Sequence, residues 1–329
     1  MAVTLADITK LRKLTGAGMM DCKKALTEAD NDIEKAIEII REKGQAVAAK
    51  RSDRDASEGC VLVKAENGFG AIIALKCETD FVAANADFIK LTQDILDAAV
   101  ANKCKSLDEV KALKIGDRTV EQAVTDRSGI TGEKMELDGY NFVEGEFIYT
   151  YDHQGKHQLC TICVTNKQAD EEGHAVTMQI AAMNPVALDE KSVPQEVKDN
   201  EFKVAVQKTK EEQIEKAVQA ALKKAGFNLY IAENEEHIAE GILKHNITEA
   251  QADEIREIKK TTAEQKSANM PEQMIQNIAN GRMAKFYKEN CLLKQEFIQD
   301  SKVSVEEYLH SANKELTVTG FKRFTLRAE

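Results

Sequence analysis

Tryptophan is absent from the 329 residues, proline occurs three times and aromatic residues make up 5%. So few prolines leave long helices uninterrupted. No run approaches the roughly 18 apolar residues of a membrane span. Met1 to Lys13 alternates polar and apolar residues without the apolar stretch of a secretory signal. A cytoplasmic chain without membrane contact is expected. An excess of positive charge is also lacking: 45 Lys and Arg stand against 56 Asp and Glu, a net charge of −11. Phosphate contacts need clustered Lys and Arg, so direct nucleic-acid binding is not expected. The seven cysteines are scattered and odd in number, which speaks against a disulfide framework. Cys160 and Cys163 form a CxxC inside a strand-like run, where residues three apart point to opposite faces and share no metal.

Reaction motifs are missing as well. No P-loop, GxSxG or HExxH occurs. Gly16 and Gly18 do not follow a strand, so a dinucleotide site fails on context. The six histidines are spread out, and His153 and His157 straddle a hairpin turn as exposed residues commonly do. No metal and no cofactor is expected, and a binding protein fits better than an enzyme.

What is present is length for two or three compact units, 43% hydrophobic residues for their cores and 31% charge for long solvated helices. The fold class read from the pattern is α+β. Residues 1–45 form a small three-helix head. Thr4 is its first N-cap, Leu5, Ile8 and Leu11 share a face, Gly16 and Gly18 make a turn, and Gly44 ends the third helix. Met19 and Met20 beside that turn read as core filling on periodicity, with an adaptable contact patch as the alternative. Residues 46–58 read as a polar linker. Over 59–140 the period changes to that of strands. Asn67-Gly68 turns a hairpin whose return strand, Phe69 to Cys77, is almost wholly apolar, and a helix with Phe88, Leu91 and Ile95 follows. Ser106 and Thr119 open capping boxes.

Over 141–194 the order hairpin, connection, helix repeats, which predicts a second, diverged copy of one α+β subdomain with antiparallel sheets. Residues 195–270 read as a protruding coiled-coil-like helical hairpin with an extra tip element. Residues 271–329 begin with a helix whose Met274, Ile278 and Phe286 face inward. They end on a strand, Val318 to Leu326, that returns to the second subdomain.

One stretch stands apart. Glu78 to Asn85 leaves an apolar strand and enters a helix, and Phe81 is a large aromatic in a tight polar connection. It either caps the core beneath or projects outward to enter a partner. For Asp80, periodicity favours a helix N-cap. The second copy lacks the Asp-Phe pair.

Several stretches together resemble bacterial elongation factor Ts: Leu11 to Leu26, Thr79-Asp80-Phe81-Val82, Ile180 to Pro185, Gly281 to Phe286 and Val318 to Phe324. The likeness runs in order from end to end apart from the helical insertion, which is longer than in short family members. It implies a ubiquitin-associated-like head, two core subdomains and a coiled coil. It also implies guanine-nucleotide exchange on elongation factor Tu, bound in its GDP and nucleotide-free states. The head residues Arg12, Met19, Met20 and Lys23 are implied to touch the GTPase domain, which reverses the core reading of the methionines. Thr79, Asp80, Phe81 and Val82 are implied to disturb the partner's Mg²⁺, and His153, in Tyr151-Asp152-His153, to make a further contact. Rival readings are a tethering scaffold without effect on nucleotide turnover, and a metal or thiol enzyme built on the cysteines.

Overall fold

The computed structural model describes residues 3–326, in two compact units: Met1–Leu188 with Glu296–Glu329, and Asp189–Gln295. Residues 1–2 and 327–329, at the edges of the expected head and returning segment, lie outside the described residues.

In the first unit, α1 (Leu5–Thr15), α2 (Met19–Glu28) and α3 (Ile33–Lys50) enclose Ile8, Leu11, Cys22, Leu26 and Ala36. Thr4 caps α1 in a full capping box with Asp7, and Gly16, at φ 72°, closes it. Leu5 departs from the expected face: it is 67% exposed, and only Ile8 and Leu11 of α1 are buried. Nor does Gly44 end α3. The helix runs on to Lys50, and Gly44 is buried inside it where its backbone meets that of Gly129.

β1 (Glu58–Glu66) and β2 (Phe69–Cys77) form the expected hairpin, with Asn67 and Gly68 at φ 51° and 74°. Then come α4 (Asp80–Ala83), α5 (Ala86–Ala101), α6 (Leu107–Ala112), the short pair β3 (Lys114–Ile115) and β4 (Arg118–Thr119), and α7 (Val120–Thr131). Thr119 makes its capping box with Gln122. At Ser106 the box is incomplete, since the Glu109 carboxylate takes the Lys105 N–H. β5 (Glu136–Glu144), which the sequence reading did not identify as a strand, pairs antiparallel with β2 and completes a sheet of order β1-β2-β5.

β6 (Phe147–Asp152), β7 (Leu159–Thr165) and α8 (Asp170–Met183) repeat the hairpin-helix order. The second sheet closes with the last strand, β10 (Val318–Thr325), in the order β10-β7-β6, so β7 is central. Each sheet buries two faces. Phe69, Ile73 and Leu75 of β2 pack with Phe88 and Ile95 of α5. On the opposite face Ile72 and Ala74 meet Ile162 and Val164 of β7, so the sheets share one apolar layer. Cys160 lies in that layer, while Cys163 donates to Gly173 O of α8 on the other side, as alternation requires.

The second unit contains α9 (Gln195–Lys224), α10 (Glu235–Leu243), α11 (Glu249–Ala268) and α12 (Glu272–Asn290). α9 packs on both α11 and α12. A small cluster of Leu222, Ala232, Ile238, Ala252 and Ile255 holds the tip. The sequence reading placed α12 with the returning segment, but it belongs to this unit. Its buried stripe is Ile275, Ala279 and Met283; the expected Met274, Ile278 and Phe286 flank that stripe half-buried. The chain then adds β8 (Glu296–Phe297), β9 (Asp300–Ser304), α13 (Val305–Ala312) and β10 (Val318–Thr325) to the first unit.

Candidate functional site

Between β2 and α5 the chain makes a single helical turn bounded by two caps. Thr79, extended at φ −126° and ψ 152°, accepts the Val82 N–H at 3.4 Å and starts α4. Asn85 accepts the Asp87 N–H at 2.9 Å and starts α5. The cap of α4 is therefore Thr79 and not Asp80, and the Asp80 carboxylate is not committed to the helix end. Val82 and Ala83 pack against the core cluster beneath. Asp80 and Phe81 take the outward half of the turn, and Phe81 is 85% exposed.

The turn is pinned from below by residues the sequence reading did not single out. Glu133 accepts from Glu78 N at 3.2 Å, Thr79 N at 3.1 Å and Thr79 Oγ1 at 2.6 Å. Glu78 in turn accepts the Lys134 N–H at 2.6 Å and pairs with Arg51 at 2.9 Å. The Lys134 N–H, then the Arg51 guanidinium, hold the Glu78 carboxyl below its ordinary value against the cost of burial. Arg127 donates to Asn85 Oδ1 at 2.8 Å and pairs with Asp87 at 3.2 Å. Its guanidinium also lies beside the Gly16 turn of the head, 3.7 Å from where a Cβ on Gly16 would sit.

On the head, Arg12 and Lys23 are exposed, as are Met19 and Met20 at 44% and 66%. The methionines thus do not fill the core. They share the surface with Leu5 and Leu14, also exposed. His153 follows β6 in a 3-10 turn, its Nδ1 3.1 Å from Tyr151 Oη and its ring edge-on to that tyrosine. Neither histidine of this hairpin is fully exposed. His157 at φ 55° binds the Asp152 carboxylate, and its carbonyl accepts the Val61 N–H at 2.7 Å, tying the two sheets together. Thr79 to Val82 thus lie on one turn, Arg12 to Lys23 on the head helices and His153 on the second hairpin, all carried by the first unit.

All seven cysteines are buried. Burial pushes the Cys60, Cys77 and Cys163 thiols up to about 12, and Cys160 higher still. Such thiols stay protonated and unreactive at neutral pH. Cys77 donates to Thr79 O at 3.2 Å, a further support under the turn. Among the described residues no group of three His, Cys, Asp or Glu side chains is placed to hold a metal ion, and no helix is long and apolar enough to cross a membrane.

A fold of two small antiparallel sheets with helices outside them, bearing an exposed aromatic on a pinned turn, defines an α+β protein whose distinctive residues stand on its surface. The chain belongs to the elongation factor Ts family: the sequence model described as Elongation factor TS matches residues 78–235 and 229–328. It is 65% identical to elongation factor Ts of Bacteroides fragilis, 64% to that of Phocaeicola vulgatus and 45% to that of Porphyromonas gingivalis, in each case over 100% of both chains.

Proposed function

We propose that this chain is the guanine-nucleotide exchange factor of elongation factor Tu, acting in the cytoplasm and catalysing no covalent reaction of its own. Family membership supports the partner and the activity. The observation that carries the mechanism is Phe81, held 85% exposed on a capped turn. Leaving such a ring in water forgoes about 1.5–3 kcal/mol of burial, which is regained when a groove of the partner closes over it. That is enough to shift two packed elements of the partner slightly apart. Mg²⁺ requires near-octahedral oxygen ligands at short distance, so a small displacement of its supports weakens the nucleotide it bridges. Asp80, not needed as the cap, competes for polar partners around that ion's water shell. Val82 and Thr79 seat the turn.

The head, read as ubiquitin-associated-like, anchors on the GTPase domain through Arg12, Met19, Met20 and Lys23, and His153 adds a contact from the second subdomain. Linkage makes the effect reciprocal: if this protein weakens GDP binding, GDP weakens its binding by the same factor. The factor therefore acts on the GDP form, holds the nucleotide-free form tightly, and leaves when GTP binds.

Release of a fluorescent GDP from elongation factor Tu is expected to accelerate when the protein is added. Phe81→Ala should lose roughly tenfold or more of that acceleration, the equivalent of about 1.4 kcal/mol or more, with an unchanged circular dichroism spectrum. An Ala variant as fast as the parent rejects the wedge. A parent that binds GDP-bound and nucleotide-free partner equally, without acceleration, is a tethering scaffold instead.

A further inference from the structure

The loop before Phe81 and the loop between α7 and β5 exchange carboxylates. Each offers a glutamate to the other's backbone: Glu133 takes the Glu78 and Thr79 N–H groups, and Glu78 takes the Lys134 N–H. The loop that carries Glu133 is itself fixed, since Ser128 Oγ donates to Glu133 O at 2.5 Å and Thr131 Oγ1 accepts the Glu133 N–H at 3.3 Å. Glu133 also accepts the hydrogen bond of the Thr79 hydroxyl, which leaves the Thr79 oxygen lone pairs for the Val82 N–H. The α4 turn depends on this arrangement. Four residues cannot sustain a helix by propensity, and of the four only Val82 and Ala83 rest on the core, each half-buried.

We infer that Glu133 is a positioning residue for nucleotide exchange: it holds the Thr79 cap, and through it keeps Phe81 ordered outside the core. This rests on the reading of Phe81 as the exchange wedge. Without the carboxylate, two amides and a hydroxyl lose their shared acceptor. The turn then samples other conformations, and the ring meets its groove in a fraction of encounters.

Two measurements test it. In the GDP-release assay, Glu133→Ala lowers the maximal rate on the order of tenfold, the loss expected when the Phe81 ring no longer reaches its groove. The half-saturating concentration stays within about threefold, because the head residues are untouched. Glu133→Gln restores most of the rate, since its oxygen accepts from the amides and its amide donates to Thr79 Oγ1. The chain has no tryptophan, so Phe81→Trp installs a single reporter. Adding Glu133→Ala to that background lowers the tryptophan anisotropy of the free chain. A wild-type maximal rate in Glu133→Ala, a loss confined to the half-saturating concentration, or an unchanged anisotropy each overturns the inference. If the parent chain fails to accelerate release, the functional reading falls, while the anisotropy still decides whether Glu133 orders the turn.

Discussion

A phenylalanine with 85% of its surface in water gains about 1.5–3 kcal/mol by folding back onto apolar neighbours, so local structure has to prevent it. Thr79 does so by fixing where α4 begins, which aims Val82 and Ala83 inward and Phe81 outward. Thr79→Val keeps the shape and removes both hydrogen bonds of the hydroxyl. It should cost about 1 kcal/mol in urea unfolding, the usual worth of a lost N-cap, and Thr79→Ser only a few tenths. Equal stability of the two variants would show that the cap is idle. The sequence exposes Phe81 as out of place but leaves its direction open, because an isolated turn has no periodicity to read. Glu133 is hidden for a different reason. It lies 54 residues from Thr79, in a stretch whose order carries neither a helical nor a strand period, and only the completed fold brings the two together.

Among the elements, α3 and α7 meet more closely than helices with side chains allow. A Cβ on Gly129 would lie 2.1 Å from Gly44 Cα. In the sequence Gly44 looks like a helix stop, since glycine commonly follows a last turn. Its actual role is to let two backbones touch, a pairing that appears only when Gly129 is known to face it. Both residues sit in helices at negative φ, so propensity alone favours alanine by up to about 1 kcal/mol. The clash is with backbone, which cannot swing aside, and overpacking costs about 1–3 kcal/mol. Gly129→Ala is therefore expected to lower the thermal midpoint. Gly281→Ala, in α12 where a Cβ meets nothing within 4 Å, should raise it. A stabilising Gly129→Ala would mean the helices part easily. β5 is not legible as a strand because glycine, asparagine and aspartate interrupt its alternation; Gly139 is needed there, since a Cβ would strike the Phe324 ring at 2.6 Å. The stripe of α12 reads one residue early in the sequence because Met274 directly precedes Ile275 and Ile278 directly precedes the smaller Ala279.

At the level of the whole chain, the hairpin-helix order seen twice in the sequence corresponds to two sheets that share an apolar layer, and the charged helical stretch forms a compact unit of its own. Cysteine separates these units experimentally. Cys22, Cys60, Cys77, Cys104, Cys160 and Cys163 lie in the first unit, and Cys291 in the second; all are buried. Burial raises the Cys291 thiol as it does the others, so a thiol reagent reports opening of the surrounding structure. The second unit is long and highly charged, and its tip rests on five buried residues. The first unit encloses Phe69, Phe88, Ile72, Ile162 and their neighbours in continuous layers. Mass-spectrometric labelling along a urea series is thus expected to modify Cys291 at a lower concentration than Cys60 or Cys160. The same burial fixes the sign of an alkaline effect. The unfolded thiols ionise near their ordinary value of 9.0, while folded Cys60, Cys77 and Cys163 hold their protons to about 12. The folded state therefore binds more protons in that window, and its stability falls as pH rises through it, by up to about 1.4 kcal/mol per pH unit for each such thiol. Below the window these thiols contribute no pH dependence. The urea midpoint for Cys60 labelling should accordingly drop between about pH 8 and about pH 10.5, and Cys163→Ala should flatten that drop. Simultaneous labelling of Cys291 and Cys60 at every urea concentration would instead make the chain a single cooperative body.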